Sequence, residues 1–245
     1  MTTISEIAPD VFSICTYSKQ TDLQFRQFLI RDEQPLLYHT GTRRMFEGVR
    51  DAVGRIMDPA SVRWIAFSHF EADECGALNF WLQEARDAKA VCSANGALVS
   101  VGDYAFGKVR QLADGESFET GAHTLRFLAT PHLPHGWDAG HLYEETTGVL
   151  FCSDLLHQTG DVPATTAESR VAAMRTMLES SRGTPMDWYV PWTPQTRARL
   201  ERLAALRPKV CATMHGSAFA GDGSAELIAL ADMLEQVYGA ASPKV

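Results

Sequence analysis

No run in the chain approaches the roughly 20 apolar residues that a membrane-spanning helix needs, which excludes an integral helical membrane protein. Positive charge is scarce: 22 Lys and Arg stand against 30 Asp and Glu, a formal net charge of −8. That balance argues against the broad basic face that nucleic acid or an anionic membrane surface requires, so neither is an expected partner. The opening residues 1–10 lack a basic region followed by an apolar core, so no signal peptide is expected and the cytoplasm is the expected location. The five cysteines (Cys15, Cys75, Cys92, Cys152, Cys211) are odd in number and scattered, with no Cys-x-x-Cys pair. A disulfide framework and a thiolate zinc site are thereby disfavoured, and buried reduced thiols are expected. Internal repeats, low-complexity runs and long Pro/Gly/Ser linkers are also missing, so residues 1–245 are expected to form a single domain.

What is present is ordinary globular material, 45% apolar and 21% charged, in enough length to bury a substantial core. Strands are predicted over 11–18, 24–31 and 35–39, and a helix over 43–57 from apolar residues at Met45, Val49, Val53 and Ile56. A buried strand is predicted over 62–68, a helix over 77–88 and a strand over 90–93. The stretch 109–128 reads as strands with turns at Asp114-Gly115 and Glu119-Thr120-Gly121. Strands at 148–153 and 210–213 and helices at 167–181, 194–206 and 224–237 complete the pattern. Strands and helices alternate in both halves, which suits two sheets packed together with helices outside.

The informative polar residues stand where apolar strands end. Ser68-His69-Phe70-Glu71-Ala72-Asp73 puts three potential ligands at alternate positions, and alternate side chains of an extended segment point the same way. The triplet sits between an apolar run and a helix, the strand-to-helix turn where α/β folds place their sites. Asp154 follows Val-Leu-Phe-Cys-Ser, His215 follows Val-Cys-Ala-Thr-Met, and His135 lies in a Pro-His-Leu-Pro-His-Gly loop.

This constellation resembles the metallo-β-lactamase superfamily, which carries a His-x-His/Glu-x-Asp motif after a buried strand and then a His, an Asp and a last His at wide intervals. With Glu71 in the second place it resembles the diiron branch, the flavodiiron oxygen and nitric-oxide reductases and the stand-alone oxygen-binding diiron proteins. Here 61, 18 and 60 residues separate Asp73, His135, Asp154 and His215, gaps similar to the flavodiiron spacing, and the likeness runs from Val11 to about Phe219. It implies an αββα four-layer sandwich. It also implies a first metal on His69, Glu71 and His135, a second on Asp73 and His215, and Asp154 bridging the two. Three imidazoles and three carboxylates nearly neutralise two divalent cations. An anionic oxygen at Glu71, where hydrolase relatives have a second His, favours iron, with manganese or zinc as alternatives.

The chain departs from the family at Glu74, where most relatives have a His. Glu74 either starts a helix pointing away, stabilised at its N-terminus, or swings in as a ligand or proton carrier. His132 competes with His135 in one loop, and the interval to Asp154 favours His135. His141 and His157 are expected at the surface or as caps, with proton donation the other role if they line the pocket. Glu74, His132 and His157 are therefore the catalytic candidates. His39 and His123 are expected to be structural. Asp138 is expected to hold a ligand imidazole through its second nitrogen, with Trp137 shaping a pocket wall or else serving as ordinary core or rim, and Phe70 and Phe80 keeping the site dry or else simply packing. Cys75 is close enough to the ligands to be oxidised there, or else packs as a thiol.

The resemblance implies a protein that binds or reduces O2 or NO. The chain ends at Val245 without a Gly-rich phosphate loop, so no bound FMN is expected and electrons must come from an external donor protein. Two metals could instead hydrolyse an ester or thioester, or ligation could act as a sensor without turnover. Missing Lys/Arg clusters in the site loops count against phosphodiesters. Relatives often pair head to tail, so a homodimer is expected.

Overall fold

The computed structural model describes residues 2–239. Its first sheet is made of β1 (Thr2–Ala8), β2 (Val11–Ser18), β3 (Leu23–Ile30), β4 (Leu36–Tyr38), β5 (Trp64–Ala66), β6 (Lys89–Ser93) and β7 (Val109–Leu112), neighbours in that order. β1 to β4 pair antiparallel, and β4 to β7 pair parallel. The parallel half needs crossovers, supplied in part by the helices Phe46–Val53 and Leu78–Glu84.

The second sheet contains β8 (Ser117–Glu119), β9 (Thr124–Ala129), β10 (Gly140–Glu144), β11 (Val149–Ser153), β12 (Thr165–Thr166), β13 (Val210–Thr213) and β14 (Ala218–Ala220). They lie in the order β12-β14-β13-β11-β10-β9-β8. β13 pairs parallel with β11 after an excursion that includes the helices Val171–Ser180 and Thr196–Ala204.

Period-two alternation along the strands sorts side chains into three apolar layers. Phe28, Ile30, Leu36, Tyr38, Phe127, Phe151 and Ala212 meet between the sheets, where Phe151 stacks on Tyr38 with ring centroids 4.7 Å apart. Their alternates Leu29, Leu37 and Ile65 face outward onto Val49, Val53, Leu78 and Trp81 of the helices. On the other side Leu150, Cys152 and Cys211 face outward onto Met174, Leu200, Leu227 and Leu230. The result is the expected four-layer order of helices, sheet, sheet and helices.

All five thiols are free and buried, as their apolar surroundings in the sequence suggested. β1, β10, β14 and a helical stretch over 94–104 are additions to the sequence reading.

Candidate metal centre

The six sequence-predicted ligands converge at one edge of the paired sheets. Ser68-His69 follows β5, Asp154 follows β11 and His215 follows β13, all three strands running parallel to a neighbour. His135 comes from the loop between β9 and β10. Two hydroxyls tie the sheets together beneath them: Ser68 Oγ and Ser153 Oγ are 2.7 Å apart. Ser153 takes φ 52°, a left-handed turn that non-glycine residues adopt rarely, and this turns the chain out of the strand at Asp154.

Asp154 is the hub. Its Oδ2 lies 3.6 Å from Nε2 of both His69 and His135, while its Oδ1 lies 3.2 Å from Nε2 of His215. Glu71 closes the first group, with Oε1 3.4 Å from His135 Nε2 and Oε2 3.9 Å from His69 Nε2. Asp73 closes the second, with Oδ2 3.4 Å from His215 Nε2. Donor atoms about 2.1 Å from one ion sit roughly 3–4 Å from each other, the range found here.

The rings are aimed by their far nitrogens. His135 Nδ1–H donates to the Tyr189 carbonyl at 2.9 Å, and His215 Nδ1–H donates to the Gln24 carbonyl at 2.8 Å. His69 Nδ1 shares a hydrogen bond with Ser68 Oγ at 2.9 Å, and Ser68 Oγ also contacts His39 Nε2 at 3.2 Å. Each ring is left with Nε2 facing the cluster. Buried His69 Nε2, His135 Nε2 and Asp154 Oδ2 have no hydrogen-bond partner in the protein, although such atoms are almost always satisfied. A cation pair would satisfy them, so the residues fit a dinuclear group.

Burial would raise the Asp154 carboxyl, but His215, His69 and His135 overcome it and hold the group well below the usual carboxylate range. The neighbouring imidazoles of His135 and then His69 hold Glu71 at about 2. Burial opposes the His215 cation, yet Asp154 and Asp73 push its value up to about 10.

Glu74 does not point away. It is fully buried, its Oε1 lies 3.9 Å from His69 Nε2, and both of its carboxylate oxygens lack a hydrogen-bond partner. Burial, with Asp154 and Asp73 adding to it, raises its carboxyl well above the ordinary value.

The other candidates separate. His132 is exposed with φ 65° and makes no hydrogen bond or ring contact with the cluster. His157 is buried rather than at the surface, 7% exposed, with its ring centroid 4.7 Å from that of His215. Burial first and His215 second lower it to about 3. His141 is also buried, not at the surface, and bonds Thr130 Oγ1 at 2.8 Å because β10 carries it into the sheet. Asp138 does not hold a ligand imidazole, since the three Nδ1 atoms are taken by Ser68, Tyr189 and Gln24. It accepts the Phe70 backbone N–H at 2.9 Å instead and so fixes the triplet's backbone.

Trp137 is 54% exposed and is not among the residues lining the cavity beside Glu71 and His135. Phe70 packs edge-on against Tyr104, and Phe80, partly exposed, sits beside Phe46. His123 pairs with Glu144 at 3.2 Å and His39 with Ser68, structural places in both cases. The Cys75 thiol is buried, bonded to the Glu71 carbonyl, and pushed up by burial, the behaviour of a packing thiol.

Tyr189 was not singled out by the sequence. Its carbonyl orients His135 and its hydroxyl meets His157 Nδ1 at 3.3 Å. A cavity of about 320 Å³, lined by Glu71, His135, Pro185, Met186, Asp187, Trp188 and Tyr189, leads to the first group.

Residues 23–216 match the family model described as "ODP family beta lactamase". The fold is similar to that of rubredoxin oxygen:oxidoreductase from the anaerobe Desulfovibrio gigas. The TM-score is 0.80 and the identity 19%, over 94% of this chain and 62% of that one. It is also similar to the flavodiiron protein from Giardia intestinalis, with a TM-score of 0.79 and 19% identity over 96% of this chain and 60% of that one. A fragment of diflavin flavoprotein A 5 from Nostoc sp. gives a TM-score of 0.77 and 17% identity, over 96% of both chains. Among curated proteins, diflavin flavoprotein A 1 of Nostoc sp. is 29% identical over 134 residues, which are 54% of this chain and 23% of that protein. The chain thus spans about a quarter of that curated relative's length.

Proposed function

The chain belongs to the ODP beta-lactamase family, and from that premise we propose that it holds two metal ions, iron by preference, and reduces O2 or NO with electrons from an external donor protein. The observation that carries the reading is the split of Asp154, one oxygen toward His69 and His135 and the other toward His215. A carboxylate so placed serves two cations at once. His69, Glu71 and His135 hold the first ion, and Asp73 and His215 hold the second.

A pair of ferrous ions supplies two adjacent one-electron donors to a small diatomic molecule. The protein's own part is orientation, proton placement and exclusion of water. The carbonyls of Tyr189 and Gln24 keep Nε2 of His135 and His215 aimed inward, so no ring must turn on loading. The Phe25 ring stands edge-on to His215 at 5.2 Å and walls that side. The Tyr189 hydroxyl, 3.3 Å from His157 Nδ1, is a group able to hold a proton beside the cluster. A neutral His157 accepts from that hydroxyl, in keeping with the direction in which burial moves it. Glu71 in place of a second neutral imidazole favours redox-active iron over hydrolytic zinc. A cytoplasmic homodimer completes the proposal.

The test is to purify the protein from iron-supplemented, zinc-poor medium, count metals per chain, and follow O2 and NO consumption after chemical reduction. About two irons and consumption of either gas are expected. Asp154→Ala should lose both ions, because it removes the shared ligand. Two zincs with esterase-type turnover would move the protein to the hydrolases, and full metal content in Asp154→Ala would remove the bridging role.

A further inference from the structure

Glu74 occupies a position that the six-ligand reading leaves without a task. Its backbone is clamped: the carbonyl accepts from Thr40 N–H at 2.7 Å and from Thr40 Oγ1 at 3.3 Å, and Thr40 Oγ1 also accepts from Ala77 N–H at 3.1 Å. With the main chain held this way the side chain has no route to solvent, and it is 0% exposed. Both carboxylate oxygens are buried without a hydrogen-bond donor, as is Asp154 Oδ2 in the same cluster, whereas a buried carboxylate away from it is well served. Glu144, for comparison, accepts from Thr146 N–H and Thr147 N–H at 2.7 and 2.8 Å. The ligand atoms of Glu74, His69 and Glu71 all lie within 4.8 Å of one another. A buried carboxylate with no donor is costly wherever it stands; a proton or a cation removes the cost, and the ligand atoms gathered around Glu74 make a cation the better-placed partner.

We propose that Glu74 is a seventh metal-facing side chain, and that its carboxylate tilts the pair toward iron or manganese and away from zinc. The proposal rests on the dinuclear reading above. Its physical basis is hardness and charge. With Glu74 the pocket offers four carboxylates and three imidazoles, so the negative charges of the side chains balance two divalent ions without an added anion. Oxygen donors suit manganese and ferrous iron, whereas exchanging an oxygen for an imidazole nitrogen moves a site toward zinc.

The experiment compares wild type, Glu74→Gln and Glu74→His as metal-free proteins. Each is titrated with Mn(II) alone, with Zn(II) alone and with both in competition, bound metal being read by equilibrium dialysis and elemental analysis. Glu74→Gln should bind Mn(II) at least tenfold more weakly while Zn(II) changes less. Glu74→His should raise the Zn-to-Mn preference at least tenfold. Melting of the metal-free proteins separates a ligand from a structural residue. Metal-free Glu74→Gln melts at or above wild type if Glu74 serves the metals, and below it if Glu74 serves the fold. Variants with the wild-type Zn-to-Mn ratio, or a Glu74→Gln protein destabilised only when metal-free, overturn the role of Glu74 and leave the dinuclear reading intact. A wild type that binds neither metal takes both down.

Discussion

Asp32 shows how much one partly exposed carboxylate can organise. It accepts from Thr120 Oγ1 at 2.7 Å, from Ala122 N–H at 3.0 Å and from His123 N–H at 2.9 Å, pinning the turn between β8 and β9. Burial pushes its value up, but these bonds win and lower it to about 2. A carboxyl depressed in the folded state stabilises above its unfolded value of roughly 4, and that contribution fades as pH falls toward 2. Asp32→Asn should cost about 1 kcal/mol near neutral pH once solvent screening is allowed for, and should flatten the wild-type loss of stability between pH 4 and 2. Urea midpoints at pH 6 and pH 3 check this, and an undiminished difference in the variant would refute it. At this scale the convergence of the six candidate side chains was legible in part: His69, Asp154 and His215 follow apolar runs, Glu71 and Asp73 alternate with His69, and His135 was placed by its interval to Asp154. Tyr189 and Gln24 were not, since they act on His135 and His215 through backbone carbonyls, which every residue has. The inward turn of Glu74 was undecidable from the sequence, because it depends on a backbone held by the distant Thr40.

Elements with a clean apolar period were equally legible. β2 and β13 fall where the sequence places them, at 11–18 and 210–213. β10 was missed because its sequence Gly-His-Leu-Tyr-Glu is buried throughout, its polar members being satisfied by Thr130 and by the turn after it. The helical stretch over 94–104 was missed because it is rich in Gly and Val, and its start is set by the Ser93 side chain accepting from Gly96 N–H at 3.0 Å. β1 is a half-polar edge strand with little period to read. Between elements, the turn after β13 decides where His215 points. Gly216 has φ +109°, and a Cβ there would meet Gln158 Cβ at 2.7 Å. Gly216→Ala should destabilise the fold by about 1–3 kcal/mol and displace His215, leaving about one metal per chain. A urea melt and elemental analysis test it, and a variant with wild-type midpoint and metal content would show that the turn tolerates the methyl.

For the molecule as a whole, the centre lies where the two sheets meet, with His69 from the first and His135, Asp154 and His215 from the second. Ions held there would bind the folded state alone and would stabilise it by mass action. Chelation should therefore lower the melting temperature by roughly 5–10 °C, which corresponds to about 2.7 kcal/mol at a hundredfold excess over Kd and about 2–4 °C per kcal/mol for a chain of this size. Calorimetry before and after chelator measures it, and an unchanged transition would mean the ions add nothing to the joint. The join between β11 and β13 has a further consequence in time. The strand bearing the last imidazole pairs with its neighbour only after the intervening helices have been synthesised and folded back. A growing chain on the ribosome therefore cannot bring Asp73, Asp154 and His215 together until His215 has emerged, so a second cation would be taken up only after that point.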